Sequence, residues 1–230
     1  TLVHGAFSEL RAVLQENGAT RVDGLLADLG VSSPQLDDAT RGFSFRAEGP
    51  LDMRMDTTRG ETARDLIARM DEQELADILF RHGEERRSRP IARAIKRAED
   101  AGSLVTTSDL RRAVVTVLGP RRQGGIDPAT RTFQALRIAV NGELDELGSL
   151  LEALPEVLED GGIGAIISFH SLEDRAVKQT FRGDPRLAPT TKRPIVAGDE
   201  EQARNPRSRS AKLRAARRVP RAELAGEEAS

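Results

Sequence analysis

Apolar residues along the chain occur in two patterns, short continuous runs and helical spacing. Residues 22–28 (VDGLLAD) and 163–169 (IGAIISF) are nearly continuous apolar runs. Such runs are typical of strands that are buried on both faces of a parallel sheet. Residues 2–4 predict another short strand, and residues 194–196 and 211–219 predict two final strands. The chain therefore carries strand candidates near both of its ends.

The spacing of apolar residues predicts helices elsewhere. Residues 8–15 predict one helix, and residues 61–117 predict a series of helices without a strand candidate. In residues 143–160, leucines recur every three or four positions opposite seven acidic residues, which predicts an amphipathic helix that ends at Gly161 and Gly162. Strands that alternate with helices indicate a doubly wound α/β sheet.

The long helical block divides the chain into predicted domains. Residues 57–119 are expected to form an inserted helical subdomain, and residues 1–56 and 120–230 to form the α/β domain. Residues 30–56 are predicted as a polar loop that follows the strand over 22–28. Ligands of open α/β sheets bind outside the carboxyl ends of the strands, which makes Asp28 a candidate site residue. The alternative is a capped loop in which Asp28 has no special role.

Composition narrows the function classes. The chain has no cysteine, which excludes disulfides, thiol catalysis and cysteine-ligated zinc. His4, His82 and His170 show no metal-binding spacing, and no metal site is expected. The sequence contains no apolar run of about 18 residues, so we expect a cytoplasmic protein without a membrane partner. The GGIG at 161–164 precedes a strand, whereas a nucleotide-binding loop would follow one.

The net charge of −2 conceals two basic segments. Residues 81–97 hold seven basic and two acidic residues, and residues 192–221 hold ten basic and three acidic residues. Local basic patches favour a nucleic-acid partner. The alternative is a scatter of solvated arginines without a common face. Candidate RNA contacts are Arg86, Arg87, Arg207 and Arg209, and the predicted insert 57–119, which holds the first two, is the candidate RNA-recognition subdomain.

Two further positions have alternative interpretations. Phe43 and Phe45 lie in a polar stretch, ATRGFSF, where they either anchor the loop or stack on an RNA base. His170 and Ser171 lie at a strand-to-helix turn, where they belong either to a site or to a helix cap.

Five blocks of the sequence resemble the bacterial ribosomal RNA small-subunit methyltransferase H family, also called MraW. They follow the family order and cover most of the chain. The first block lies within 28–56 and contains DLGVSSPQLDD, RGFSF and GPLDMRMD. The other four are GEERRSRPIARAI at 83–95, PATRTFQALRIAVNGEL at 128–144, ISFHSLEDRAVK at 167–178 and NPRSRSAKLR at 205–214.

The resemblance implies a Rossmann-like class I methyltransferase sheet with a helical insert. The implied reaction uses S-adenosyl-L-methionine to methylate the exocyclic 4-amino group of a cytidine in the decoding region of small-subunit (16S) ribosomal RNA. The implied partner is that RNA or the assembled small ribosomal subunit. Phe7, Asp28 and Gln35 are the implied cofactor contacts. Ser33 and the carbonyl of Pro34 would position the amine that receives the methyl group.

The sequence departs from the family pattern in three respects. It lacks the family's GGH loop and an acidic ribose-binding residue, so we expect an N-terminally truncated member without the first two βα units that is inactive by itself. Gln35 replaces an aromatic residue found in related amino-methyltransferases, and Phe43 or Phe45 is our hypothesis for the stacking partner. Asp127 stands where the family usually has His, and either residue can cap a helix. An exposed edge on the strand over 22–28 would predict a homodimer or aggregation.

Two rival functions remain open at this point. One is a non-catalytic RNA- or ribosome-binding protein that uses the arginine-rich patches, and the other is an amino-methyltransferase that acts on DNA. Salt-dependent RNA binding does not separate an enzyme from a binding protein, because both need it. Binding of S-adenosylmethionine would separate them.

Overall fold

The computed structural model describes residues 1–120 and 125–223. These residues form, in chain order, α1 (Leu10–Glu16), β1 (Val22–Asp28), α2 (Ser33–Asp37), α3 (Ala63–Arg69), α4 (Glu72–Gly83), α5 (Ser88–Asp100), α6 (Thr107–Leu118), α7 (Thr130–Asn141), α8 (Glu143–Val157), β2 (Leu158–Ser168), α9 (Ser171–Gly183), β3 (Leu187–Pro189), β4 (Ile195–Val196), α10 (Asp199–Arg204) and β5 (Lys212–Arg218). Short 3₁₀ turns cover Phe7–Glu9, Ala39–Arg41 and Pro206–Ser210. The predicted α/β class is confirmed. The chain divides into two units, residues 1–30 with 144–230 and residues 31–143.

The sheet lies in the first unit. Its strand order is β1-β2-β5-β3, and β4 pairs with β5. β1 and β2 are parallel, whereas β5 runs antiparallel to β2, β3 and β4. The predicted strands over 163–169, 194–196 and 211–219 are confirmed as β2, β4 and β5. β3 was not predicted, because its three residues are too few to show an alternating pattern.

One face of the sheet packs against helices α8 and α9. Leu154 of α8 and Phe181 of α9 are buried with Ile166 of β2 in one apolar cluster. The leucine spacing predicted this helix correctly, but α8 ends at Val157 and β2 begins at the next residue. The predicted helix end at 161–162 is therefore wrong. An irregularity in the β1–β2 register between Val22 and Gly24 accommodates the extra residues of β2.

Two predictions about the N-terminal strands need correction. β1 forms as predicted, but it is not buried on both faces, since Leu26 is 68% exposed. Among the described residues β1 pairs only with β2, which makes it an edge strand. Residues 2–4 form no strand, and Leu2 is fully exposed. No described strand lies beside residues 2–4 to accept their backbone hydrogen bonds, which explains this second error.

The second unit is helical. α3 to α7 surround an apolar core in which Ile67, Leu75, Leu79, Ile91 and Leu110 are completely buried. The helices predicted within 61–117 are confirmed as α3 to α6. No described helix is long and apolar enough to cross a membrane. The predicted insert 57–119 lies inside this unit, and its boundaries at residues 56 and 120 stay a prediction.

Helices α3, α4 and α6 of the second unit begin at polar side chains that accept backbone hydrogen bonds. Thr62, Asp71 and Thr106 each cap a helix and are each paired with an acidic residue three positions later. Asp127 accepts a hydrogen bond from the Ala129 backbone N–H at 3.0 Å. α7 starts only at Thr130, so Pro128 lies in the turn before the helix and not at its first position.

Candidate active site

The carboxyl ends of the parallel strands β1 and β2 lie side by side in the first unit. Asp28 pairs with Ile167 in the register, and the Leu29 backbone N–H donates to the Ile167 carbonyl at 3.0 Å. Gly30, with a φ of 85°, then turns the chain away from the sheet in a conformation that favours glycine. This edge is where open α/β sheets bind ligands.

Asp28 is the exposed acid at this edge. Its carboxylate makes no hydrogen bond or ion pair with the residues that the structure describes. A carboxylate without a partner, at the carboxyl end of a strand, is available to accept hydrogen bonds from an amino group or to pair with a cation. The position of Asp28 therefore fits the cofactor contact that the sequence predicted.

The segment after β2 is a helix cap. His170 is the N-cap residue of α9, and its Nδ1 accepts a hydrogen bond from the Glu173 backbone N–H at 3.4 Å. The buried Glu173 carboxylate accepts from the backbone N–H groups of Phe169 at 2.8 Å and His170 at 3.3 Å. Of the two interpretations of His170 and Ser171, the geometry favours the cap, with His170 and not Ser171 as the capping residue.

Phe7 begins the 3₁₀ turn Phe7–Glu9 in the first unit. The residue is 38% exposed, which leaves it accessible to a ligand. The next residue fixes the turn, because the Ser8 backbone N–H and Oγ both donate to the Glu146 carboxylate of α8, at 2.8 and 3.0 Å. Phe7 is thus held on a short anchored turn. Its role as an adenine wall stays a prediction.

Ser33, Pro34 and Gln35 form the first turn of α2 in the second unit. Ser32 and Gln35 make a capping box, in which Gln35 Oε1 accepts from the Ser32 backbone N–H at 2.8 Å and from Ser32 Oγ at 3.1 Å. The amide oxygen of Gln35 is therefore engaged, and its amide nitrogen is the group left to bind a ligand. The Pro34 carbonyl accepts the Asp38 backbone N–H at 3.1 Å, and Ser33 is exposed.

Phe43 and Phe45 belong to the apolar core of the second unit. Phe43 is only 7% exposed, and the Arg41 guanidinium lies 5.7 Å from the centre of its ring. Phe45 is partly buried and meets Phe133 edge to face, with ring centres 5.0 Å apart. Of the two interpretations, this packing favours the loop anchor, especially for Phe43. Base stacking stays a prediction.

The loop at 50–56 is held by residues to which the sequence assigned no role. Met53 is fully buried with a φ of 63°, an uncommon conformation for a residue other than glycine. Asn141 stabilises it: its Nδ2 donates to the Met53 carbonyl at 2.8 Å and its Oδ1 accepts from the Met55 backbone N–H at 2.6 Å. Arg41 donates to the carbonyls of Arg54 and Met55. An asparagine near a helix end was the only sequence signal for this arrangement.

Acidic residues neutralise the basic residues Lys212, Arg214 and Arg218 of β5. On β5, Lys212 and Arg214 both bind Asp174, at 3.1 and 2.7 Å. Burial of Asp174 would raise its pKa, but the hydrogen bonds from Arg214 and Lys212 outweigh it and hold the pKa below the usual value. Arg218 is buried and pairs with Asp160. The basic residues of β5 therefore largely stabilise the sheet unit.

The four predicted RNA contacts all lie on exposed turns. Arg86 and Arg87 precede α5 in the second unit. Arg207 and Arg209 lie in the 3₁₀ turn Pro206–Ser210 of the first unit. Their role in RNA binding stays a prediction. The candidate cofactor residues are likewise divided, with Phe7 and Asp28 in the first unit and Gln35 in the second.

The comparisons with known proteins all point to one family. The MraW methylase family model matches residues 1–219. Proteins named ribosomal RNA small subunit methyltransferase H are 66% identical over 97% of the chain in Sorangium cellulosum, 58% over 86% in Prochlorococcus marinus and 52% over 95% in Deinococcus deserti. The matched regions span 71%, 64% and 72% of these relatives. The mixed sheet and helices agree with a class I methyltransferase fold, and the chain belongs to the MraW methylase family.

Proposed function

We propose that this chain belongs to an S-adenosylmethionine-dependent methyltransferase that acts on the exocyclic 4-amino group of a cytidine in the decoding region of small-subunit ribosomal RNA. The observation that carries the proposal is the family match over residues 1–219, together with relatives named as methyltransferases of this RNA. The free carboxylate of Asp28 at the sheet edge supports it.

The residues present fit the cofactor that the family implies. Asp28 would accept a hydrogen bond from the adenine amine or pair with the cationic end of S-adenosylmethionine, and the Gln35 amide nitrogen would donate to an acceptor of the ligand. The partly exposed Phe7 ring would offer an apolar wall to the adenine. When bound, the cofactor supplies an electrophilic methyl group on a sulfonium.

The chain's contribution to the reaction is positioning. A cytosine amine is a weak nucleophile because its lone pair is delocalised into the ring, and its orientation therefore matters more than its basicity. The exposed Ser33 hydroxyl makes no hydrogen bond with the residues that the structure describes and can accept one from that amine. The Pro34 carbonyl, which already accepts the Asp38 N–H, keeps a second lone pair for the same purpose.

Calorimetric titration with S-adenosylmethionine tests the proposal, on the 230-residue chain and on the protein as its gene encodes it. Asp28→Asn should weaken cofactor binding by about 10- to 100-fold, since hydrogen bonds to charged groups contribute about 1.5–3 kcal/mol. Asp23→Asn is the matched control, an exposed aspartate on the same strand, and should leave binding unchanged.

Methyl transfer to small ribosomal subunits, followed by identification of the modified base, tests the substrate. The encoded protein should methylate a cytidine at its 4-amino group. Failure of that protein to bind the cofactor would refute the enzyme and leave the non-catalytic RNA-binding protein. Methylation of DNA in place of ribosomal RNA would refute the substrate.

A further inference from the structure

Helix α5 has one buried and one basic face. Ile91, Ile95 and Ala92 on one side are completely buried. The opposite side carries three exposed arginines, Arg89, Arg93 and Arg97, which we call the arginine stripe. Their spacing of four residues places them along one side of the helix, about 6 Å apart in the direction of its axis.

The arginine stripe is weakly neutralised. Arg89 and Arg97 make no side-chain hydrogen bond or ion pair within the part of the chain that the structure describes. Arg93 contacts Glu72 at 3.1 Å, but these side chains are 56% and 43% exposed, and exposed pairs contribute little. Arg93 is therefore available to a stronger anionic partner.

The lysine beside the arginine stripe, in contrast, is bound to other residues of the protein. Lys96, at the flank of the same helix, pairs with Glu99 and donates to the Ile67 carbonyl at 3.0 Å. The cations of β5 are also paired, through Asp174 and Asp160. Within the two basic segments, the arginine stripe is thus a set of aligned cations that the described structure does not use for its own stability.

The N-terminal end of α5 extends the positive potential. Arg86 and Arg87 are exposed in the turn before the helix, and its first turn contains no acidic residue. The positive end of the helix dipole favours an anion at the same end. Asp100 limits the basic face at the other end of the helix.

We propose that the arginine stripe contacts the sugar-phosphate backbone of the RNA substrate. This inference rests on the proposed function for the identity of the RNA. Arginine forks match phosphate oxygens, and an evenly spaced row of cations suits a chain of regularly spaced anions. The exposed face of α5 offers only Pro90 and Ala94 as apolar side chains, too little for the apolar centre of a protein–protein interface.

The test measures binding of an RNA hairpin from the small ribosomal subunit as a function of salt. The triple variant Arg89→Gln, Arg93→Gln, Arg97→Gln should lower the steepness of log K against log salt by about 2.1–2.7, since each of the three phosphate contacts contributes about 0.7–0.9. A fourfold rise in salt should then weaken wild-type binding about 20- to 40-fold more than binding of the variant. Circular dichroism should be unchanged, because the altered side chains are exposed.

The control removes the same charge elsewhere in the same unit. Arg59, Arg69 and Arg112 are exposed and paired with Asp56, Glu61 and Asp109. Their triple change to Gln should keep the wild-type slope. An equal fall in slope for both triple variants would overturn the proposal, since net charge alone would explain it.

Further outcomes separate this inference from the proposed function. A wild-type slope in the stripe variant overturns the inference even if the protein methylates RNA. A reduced slope in a protein that fails to bind S-adenosylmethionine supports the stripe and refutes the enzyme. Tighter binding of poly-glutamate than of the RNA hairpin, lost in the stripe variant, would overturn the RNA assignment in favour of an acidic protein.

Discussion

The two units of this protein differ in how many large apolar residues they leave exposed: seven in the described part of the sheet unit and three in that of the helical unit. In the helical unit, side chains such as Leu75, Leu79 and Ile95 are completely buried. In the sheet unit, one face is packed while Leu26 and Ile195 are 68% and 57% exposed. A helix satisfies its backbone hydrogen bonds internally, whereas a strand depends on neighbours. The helices of the second unit therefore need no neighbouring strand to satisfy their backbone, whereas the sheet unit, among the described residues, leaves an edge and part of a face open.

The largest effect expected from this difference concerns the helical core. Leu79→Ala should lower the free energy of unfolding by about 2–5 kcal/mol, because a fully buried leucine leaves a cavity. Its neighbour Phe80 on α4 is 59% exposed, and Phe80→Ala should change stability far less. Urea denaturation monitored by circular dichroism measures both. Equal losses for the two variants would contradict the described packing.

The effect expected next in size concerns stability at acid pH. Each unit contains an aspartate that binds an arginine two positions later. Asp52 accepts hydrogen bonds from the backbone and guanidinium of Arg54, and Asp184 does the same with Arg186. The guanidinium of each arginine lowers the pKa of its aspartate below the usual value. Because the folded-state pKa is lower than the unfolded one, this stabilisation is complete above about pH 4 and is lost as the pH falls through the lowered pKa.

Replacing Arg54 or Arg186 tests this pairing and compares its contribution between the two units. Arg54→Gln should reduce the unfolding free energy at neutral pH and flatten its decline as the medium is acidified. Arg186→Gln should do so less, because the Arg186 side chain is 43% exposed against 20% for Arg54 and water screens it more. Denaturant titrations over a pH series give the result. A steeper acid decline in either variant would reverse the predicted sign.

The smallest effect on stability is expected at Leu26, on the edge strand β1 of the sheet. Leu26→Lys should change the unfolding free energy by no more than about 0.5 kcal/mol, since the side chain is already exposed. It should reduce any self-association, because charged residues on edge strands oppose pairing. Analytical ultracentrifugation of both proteins measures this. Self-association that is unchanged in the variant would exclude the β1 edge as its cause.

Several features of the fold could be predicted from local patterns. The run VDGLLAD and the leucine spacing before Val157 indicated the strand and the helix that form. These signals are local, since they arise from the periodicity of side chains along a short segment. The apolar run that ends in an acid likewise indicated that Asp28 is the last residue of a strand, as it is in β1.

Other features depended on contacts between distant residues. No local pattern indicated that Asn141 binds Met53 and Met55, more than eighty positions away, or that Lys212 and Arg214 bind Asp174. Periodicity also could not distinguish a buried strand from an edge strand, because VDGLLAD is equally apolar in both settings. The sequence also could not show which basic residues pair with acids, because such partners as Asp174 lie far away along the chain.

The sequence by itself determined the family, the α/β class and the identity of the candidate cofactor residues, because these are carried by motifs and local periodicity. Only the tertiary structure decided which residues are available for function. It showed that Phe43 belongs to a core, that the Gln35 amide oxygen is engaged in a helix cap, and that the arginines of α5 face away from the protein. Availability depends on what else packs against a side chain, and that is fixed only when distant segments meet.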